Sequence, residues 1–466
     1  MKRALSILVL SLAAAGCEST PEPVVPATPL PTVTAPVSTV AATPPPADPA
    51  TVTEGDVTIA WVNGLQILVK RIPGSEISSS QLYLRGGVRN WSADSAGVEE
   101  LAISTATSGG TLSLDKDAFA RRLAELGSEV GGGSGNDYAS FKAKSLTKEW
   151  DATFALLADA FLHPALPPAE LEVQRQRQLS TLRHEEESPD GQLRLLVHRS
   201  LFTGHPYANR AVGTKDNVAR FQVADAREAL GKLRETGRML FVAVGDLDAA
   251  HVIAQVKAAF GSLPRGSYHE EKLPPVSFAA AKVNAEAKKL PTNYIEAVFP
   301  APSLGDADFP VATVAMSVLS YRLFEEVRTK RNLSYAPSAR LSTNLSIGIG
   351  LLYVTAVDPN TTMKVMYDEL RRIQNEPVPE KELAGSKSIF LTDYLMDNEP
   401  TDGQGSMLAR AALLGGDWHL AKTLPERIRA VKAGDVQAFA KKYATHLQTT
   451  VLGDPAKIDK GLFGSI

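Results

Sequence analysis

The sequence predicts an α+β fold made of two tandem homologous domains, each a mainly antiparallel sheet backed by helices, after an export signal and a Pro-rich tether. Two observations lead there. First, apolar patterns of period 2 and period 3.6 alternate irregularly along the chain, as sheets backed by helices require. Second, one segment occurs twice. Met239-Leu240-Phe241-Val242-Ala243-Val244-Gly245-Asp246 leads into a helical stretch ending Phe260-Gly261-Ser262-Leu263, and Thr449-Thr450-Val451-Leu452-Gly453-Asp454 leads to Phe463-Gly464-Ser465-Ile466. Each copy follows an amphipathic helical pattern, Ala224 to Leu233 and Ala433 to Tyr443.

The beginning of the chain reads as a targeting segment. Lys2 and Arg3 precede the apolar run Leu5 to Leu12, and the small residues Ala13, Ala14, Ala15 and Gly16 precede Cys17. Ala14-Ala15-Gly16-Cys17 resembles a bacterial lipobox, in which the cysteine is lipidated and becomes the first mature residue. Cys17 is the only cysteine of the chain, so no internal disulfide competes for it. Lipoprotein maturation implies more than one acyl chain, enough for stable anchoring. Glu18 stands where an inner-membrane retention signal resembles Asp, so the expected place is the bacterial cell envelope, on the periplasmic face of the outer membrane.

From Glu18 to Ala50 the chain is Pro, Thr, Ala and Val with almost no charge or aromatic residue, and Pro44-Pro45-Pro46 closes it. Such a segment cannot bury a core and is expected to extend at about 3.1 Å per residue. The domain plan is therefore 1–17 signal and lipobox, 18–50 linker, 51–265 first domain and 275–466 second domain, with the boundary in the polar, Pro-containing stretch near 264–289. A net charge of −3 gives no footprint for nucleic acid. No later run is apolar for long enough to span a bilayer.

Within the first domain, Leu65 to Val69 and Gln81 to Leu84 read as strands, Gly97 to Ser108 and Asp115 to Leu126 as helices. Tyr138 to Ala143 alternates as a strand, and Lys148 to Leu162 is an amphipathic helix. A longer helix runs from Pro168 towards Glu187, ended by Ser188-Pro189 because proline disfavours helical geometry in the residue before it. Gly131-Gly132-Gly133-Ser134-Gly135 reads as a loop, with a flexible peptide-facing flap as the alternative.

Over nearly all of this length the chain resembles the insulinase/pitrilysin-type zinc metallopeptidases, in the processing-peptidase-like subgroup. Asn63-Gly64-Leu65, Leu84-Arg85-Gly86-Gly87-Val88, Asp159 to Pro164, and His205-Pro206-Tyr207 with Gly213-Thr214 are similar to family segments in the same order. Leu323-Phe324-Glu325-Glu326-Val327-Arg328 with Leu333-Ser334-Tyr335 resembles the family's "L-F-x-x-L-R-x-x-x-G-L-x-Y", Asn332 replacing a glycine. Asn tolerates positive φ next best after glycine.

The resemblance implies zinc hydrolysis through H-x-x-E-H, in which two imidazoles one turn apart bind the metal and the glutamate takes a proton from its water. The family helix "G-L-A-H-L-L-E-H" aligns with Gly97 to Ser104, which places Glu100, Ile103 and Ser104 at those three positions. The downstream glutamate ligand aligns with Thr181, in a run beginning Gln174-Arg175. None of the four keeps its zinc-site residue. The eight histidines, at 163, 184, 198, 205, 251, 269, 419 and 446, include no pair four apart, so no register restores the motif. A replacement site would draw on Glu99, Glu100 and His184-Glu185-Glu186-Glu187; the competing reading is a solvated acidic face.

What the resemblance leaves is Arg328 and Tyr335, which related peptidases offer to substrate inside a two-sided chamber. Guanidinium and phenol are donors able to hold a peptide carbonyl. Alternatively, Arg328 pairs with Glu325 or Glu326 and Tyr335 packs within a strand. The implied role is a non-catalytic subunit that binds no zinc itself and completes a peptide chamber with a zinc-bearing homologue. A second reading is an envelope scaffold or peptide-binding module without proteolysis, and a third is an independent enzyme on an unorthodox metal site.

Cys17→Ser is predicted to abolish metabolic labelling by palmitate and to release the chain from the membrane fraction. Persistent label in that variant would refute lipidation at Cys17.

Overall fold

In the computed structural model, residues 47–466 are described, so the signal, Cys17 and nearly all of the Pro-rich stretch lie outside the described residues. The chain enters its first sheet through β1 (Val52–Glu54), β2 (Val57–Val62) and β3 (Leu65–Arg71). Asn63-Gly64 joins the last two as a two-residue hairpin turn with φ of 50° and 88°, which Asn and Gly adopt most readily. The Asp48 carboxylate accepts the Gly64 N–H at 2.8 Å and fixes that turn.

The sheet is completed by β4 (Ile77–Arg85), β5 (Glu129–Ser134), β6 (Tyr138–Leu146) and β7 (Met239–Gly245), in the order β1-β2-β3-β7-β4-β6-β5. Only β3 and β7 run parallel. This half of the chain contributes α1 (Val98–Ser108), α2 (Lys116–Glu125), α3 (Trp150–Leu162), α4 (Pro168–Glu187), α5 (Pro189–Leu201), α6 (Lys215–Arg220), α7 (Val223–Leu233) and α8 (Ala249–Phe260).

The second sheet contains β8 (Lys282–Ala287), β9 (Asn293–Pro300), β10 (Ser338–Leu341), β11 (Ile349–Ala356) and β12 (Gln448–Gly453), ordered β10-β11-β9-β12-β8. Its helices are α9 (Phe309–Leu323), α10 (Pro359–Asn375), α11 (Glu380–Asp397), α12 (Thr401–Leu414), α13 (Leu420–Ala430), α14 (Ala433–Tyr443) and α15 (Lys460–Phe463). Taken from the single parallel pair outward, β3-β7-β4-β6-β5 recurs as β8-β12-β9-β11-β10. The repeated Gly-Asp segments are β7 and β12, each preceded by its helix, α7 or α14. This is the predicted α+β repeat of mainly antiparallel sheets backed by helices.

Helix ends follow local chemistry. Asp115 caps α2 by accepting the Ala118 N–H at 2.8 Å. Ser188 is extended, as the following proline demands, and its hydroxyl accepts the Gly191 N–H at 3.1 Å, so one residue ends α4 and caps α5. The glycine run differs from expectation. Residues 129–134 form the edge strand β5, paired antiparallel with β6, and not a loop. A Cβ at Gly132 would lie 2.4 Å from the Ser140 carbonyl oxygen and 2.7 Å from Ile103 Cγ2. Gly132 therefore serves close approach to β6 and α1.

Each half also closes the other's sheet. Leu408, Ala409, Ala412 and Leu413 of α12 pack on Tyr83, Leu240 and Val242 of the first sheet. Reciprocally, Leu193 and Val197 of α5 pack on Val298, Ile349 and Leu452 of the second. Full burial of such side chains contributes about 1.5–3 kcal/mol each. A polar hub accompanies these contacts. The Asp137 carboxylate, 1% exposed, pairs with Arg89 at 3.1 Å and accepts the Tyr207 hydroxyl at 2.6 Å and the Ser346 hydroxyl at 2.7 Å.

Asp137→Ala leaves two hydroxyls without their acceptor and takes from Arg89 one of its two carboxylate partners, Glu270 remaining, and is predicted to cost more than about 2 kcal/mol in denaturant unfolding. Asp151→Ala, which removes an exposed partner of His251, is predicted to cost under about 1 kcal/mol. Equal losses for the two would refute the hub.

Candidate functional site

Helix α1 starts at Gly97, whose φ of 97° suits glycine, and a Cβ there would lie 2.8 Å from the Gly213 Cα. The two glycines let the His205-to-Thr214 segment cross the helix start. Beyond it, Leu101, Ala102, Ile103 and Ala106 enter the core fully buried. Ile103, expected at the position of the proton-accepting glutamate, is thus an aliphatic side chain packed beneath β5.

Glu100 and Ser104, one turn apart, share a face with each other and with the edge strand. The Ser104 hydroxyl donates to Glu100 Oε1 at 3.3 Å, and the Ser134 N–H donates to Glu100 Oε2 at 2.7 Å. Glu99 is also turned inward. It accepts the Trp91 indole N–H at 2.9 Å and the Ser134 hydroxyl at 2.6 Å. Burial raises the pKa of both carboxyls, the hydrogen bonds from Ser134 opposing it.

Helix α4 runs alongside α1. The Gln178 amide donates to the Gly97 carbonyl at 3.0 Å, and the Gln174 amide to the Ser108 hydroxyl at 2.9 Å. Thr181 lies one turn further on, exposed, its hydroxyl donating to the Arg177 carbonyl at 3.2 Å. These residues do not fit zinc: Ile103 and Thr181 offer no carboxylate, and the one acid on the motif's face is engaged by an amide and an alcohol. In the acidic run 184–187, Glu185 pairs with Arg210 and Glu186 with Lys215. Among the described residues, no three His, Cys, Asp or Glu side chains are grouped as a metal site needs.

In the second half, α9 passes into a π-helical turn, Phe324–Thr329, and Asn332 adopts a φ of 50°, as its substitution for glycine anticipates. Among the described residues Arg328 has no ion-pair partner, and Tyr335 lies outside any strand. The Arg328 guanidinium stacks 4.0 Å from the Tyr335 ring centre and 4.8 Å from that of Phe324. Glu326 is instead taken by Lys330 at 2.6 Å and by Arg331, which pull its carboxyl below the ordinary range. Tyr335 precedes β10 and is 76% exposed. The guanidinium edge and the phenol both remain free to donate.

Arg328 and Tyr335 line a cavity of about 520 Å³ shared with Asp190 and Arg194 of α5 and Glu296 and Tyr353 of the second sheet. The Tyr353 hydroxyl donates to Asp190 at 2.5 Å, and burial raises the Glu296 pKa against the opposing charges of Arg340 and Arg194. The sequence reading missed these four residues. A signal was present: Asp190-Gly191-Gln192 recurs as Asp402-Gly403-Gln404 at the start of α12. A Cβ at Gly191 would lie 2.0 Å from the Glu185 carbonyl oxygen, and one at Gly403 2.1 Å from that of Asp397. Both copies therefore need glycine where one helix turns into the next.

A tandem α+β repeat with a histidine-free helix at the metal position defines a metallopeptidase-type fold without its zinc ligands. Residues 66–215 match the model described as "Insulinase (Peptidase family M16)", and residues 220–390 match "Peptidase M16 inactive domain". The chain belongs to this family. An uncharacterized zinc protease of Rickettsia felis is 20% identical over 84% of this chain and 96% of its own. The non-peptidase homolog YmxG of Helicobacter pylori is 22% identical over 72% and 79%. Subunit 1 of the bovine mitochondrial cytochrome b-c1 complex is 23% identical over 48% and 46%. A Pseudomonas fluorescens structure titled peptidase M16 inactive domain superposes with a TM-score of 0.77 at 18% identity, covering 86% of this chain and 98% of that one.

The raised carboxyls generate a pH test. An acid whose folded pKa lies above its ordinary value of 4.5 loses folded-state stability as pH rises from about 4.5 through the raised value. Glu99→Gln is predicted to flatten that decline, measured as the wild-type-minus-variant difference in unfolding free energy from pH 4 to 8. A difference that does not change with pH would refute the burial of an ionisable Glu99.

Proposed function

We propose that this chain is a non-catalytic insulinase-family subunit that pairs with a zinc-bearing homologue and forms with it a chamber for peptides. The observation that carries the reading is the contrast between the two halves. On α1, the face that would carry zinc ligands is filled by Ile103 and by hydrogen bonds among Glu100, Ser104 and Ser134. At Arg328, by contrast, a guanidinium is held between two aromatic rings beside an exposed phenol. Zinc belongs to the partner in this reading, and Arg328 and Tyr335 supply donors to the carbonyl of a bound peptide. Lipidated Cys17 tethers the subunit to the envelope, with the folded part on the periplasmic side of the outer membrane.

A second reading, a scaffold or peptide-binding module without proteolysis, is favoured by the names of two relatives, one a non-peptidase homologue and one a subunit of a respiratory complex. Copurification separates the two: recovery of envelope proteins without any zinc-bearing homologue supports the scaffold.

In a mixed complex with such a homologue, Arg328→Ala is predicted to slow peptide cleavage roughly a hundredfold, the scale for one lost transition-state donor. Tyr335→Phe tests the phenol separately. Cleavage by the double variant at the wild-type rate would remove both residues from the mechanism.

A further inference from the structure

A second cavity, of about 780 Å³, lies among α9, α11, α12 and β10, and none of the preceding roles uses it. Its size suits a ligand-binding pocket, for which about 300–1,000 Å³ is usual. Met316, Tyr321, Phe324, Ile389 and Met407 face it, a lining of aromatic and adaptable thioether side chains. Tyr321, Phe324 and Ile389 are 50%, 41% and 51% exposed, so large apolar groups stand open to water at one place.

The floor is cationic. Arg410 of α12 reaches it, with its Nε buried and without a hydrogen-bond partner, and no described residue forms an ion pair with its guanidinium. Outside the lining, Lys142 of β6 donates to Ser406 Oγ at 3.3 Å, and burial, against the Asp402 charge and with the Arg410 charge, holds its pKa below the ordinary value. Arg410 is half-buried, and an anion at its guanidinium would gain a charge-assisted pair that no described residue supplies. At the mouth, Asp393 and Asp397 of α11 are exposed acceptors. A ligand with an anion at one end, an apolar body, and N–H donors nearer the rim satisfies all three zones.

We propose that this cavity binds the carboxy-terminal end of an apolar peptide, its terminal carboxylate on Arg410 and its last side chains against Met316, Phe324 and Met407. The proposal deepens the reading of the chain as a peptide-binding subunit and rests on it. Phe324 and Arg340 line both this cavity and the one at Arg328 and Tyr335, so a single extended peptide can occupy the two. The rim carboxylates favour a peptide over a fatty acid, whose tail offers no donor to them.

Calorimetry on the full chain tests this with three probes: acetyl-Ala-Ala-Phe-Leu as the free acid, the same peptide as its C-terminal amide, and dodecanoate. The acid is expected to bind at least about tenfold more tightly than the amide, the scale of a charge-assisted pair. Arg410→Met is expected to erase that difference and Arg410→Lys to restore part of it. Ile389→Asp, at a side chain already half in water, is expected to weaken both peptides while leaving the melting temperature unchanged. Equal binding of acid and amide, an acid preference that survives Arg410→Met, no peptide binding, or binding of dodecanoate alone would each overturn the proposal. Arg328→Ala separates the two readings. Loss of the mixed complex's dependence on Arg328 with the acid preference intact defeats the chamber role alone, and the reverse defeats this pocket alone.

Discussion

Neither sheet can cover both of its faces from its own half of the chain, and the exchange of α5 and α12 is the constraint on which the rest of the structure depends. Tyr83, Leu240 and Val242 on one sheet and Val298, Ile349 and Leu452 on the other are buried only because a helix from the opposite half lies over them. The exchange also places chemistry. Asp190 and Arg194 reach the cavity of Arg328 on α5, and Arg410 reaches its pocket on α12, with Lys142 of the first sheet beside it. The Arg328 cavity is therefore assembled from both halves, and loosening the exchange would undo it.

The helix that carries metal ligands in the peptidases has here become a structural clasp. Glu99 and Glu100 hold the edge strand through Ser134, and Gly132 of that strand allows the backbone to come down onto Ile103. The buried polar groups here satisfy one another, two carboxyls with an amide and two alcohols. The clasp gives both acids partners without a metal.

The absence of an H-x-x-E-H pair is a property of residue identity and spacing alone, because that motif needs two histidines four apart and the sequence has no such pair. The end of α4 was legible for a local reason, because Pro189 acts directly on Ser188; the caps at Asp115 and Ser188 and the Asn63-Gly64 turn are as local but were not read. The glycine strand was not legible. Its low strand propensity is outweighed by pairing with β6 and by space that only glycine leaves beside Ile103, neither of which is local. Arg328 was read with the nearest acids in sequence, whereas Lys330 and Arg331 take Glu326 and leave the guanidinium to the Tyr335 and Phe324 rings. Asp190, Glu296 and Tyr353 come together across more than a hundred residues, and only the repeated Asp-Gly-Gln hinted at them.

The central claim is that this polypeptide has no means of holding the metal on which its relatives' chemistry turns. Metal analysis of the chain purified free of any homologue, after dialysis against buffer with a trace of zinc, addresses it most directly. The account predicts zinc far below one atom per chain and the same melting temperature with and without a chelator. One tightly held zinc per chain, with a melting temperature that falls on chelation, would contradict it.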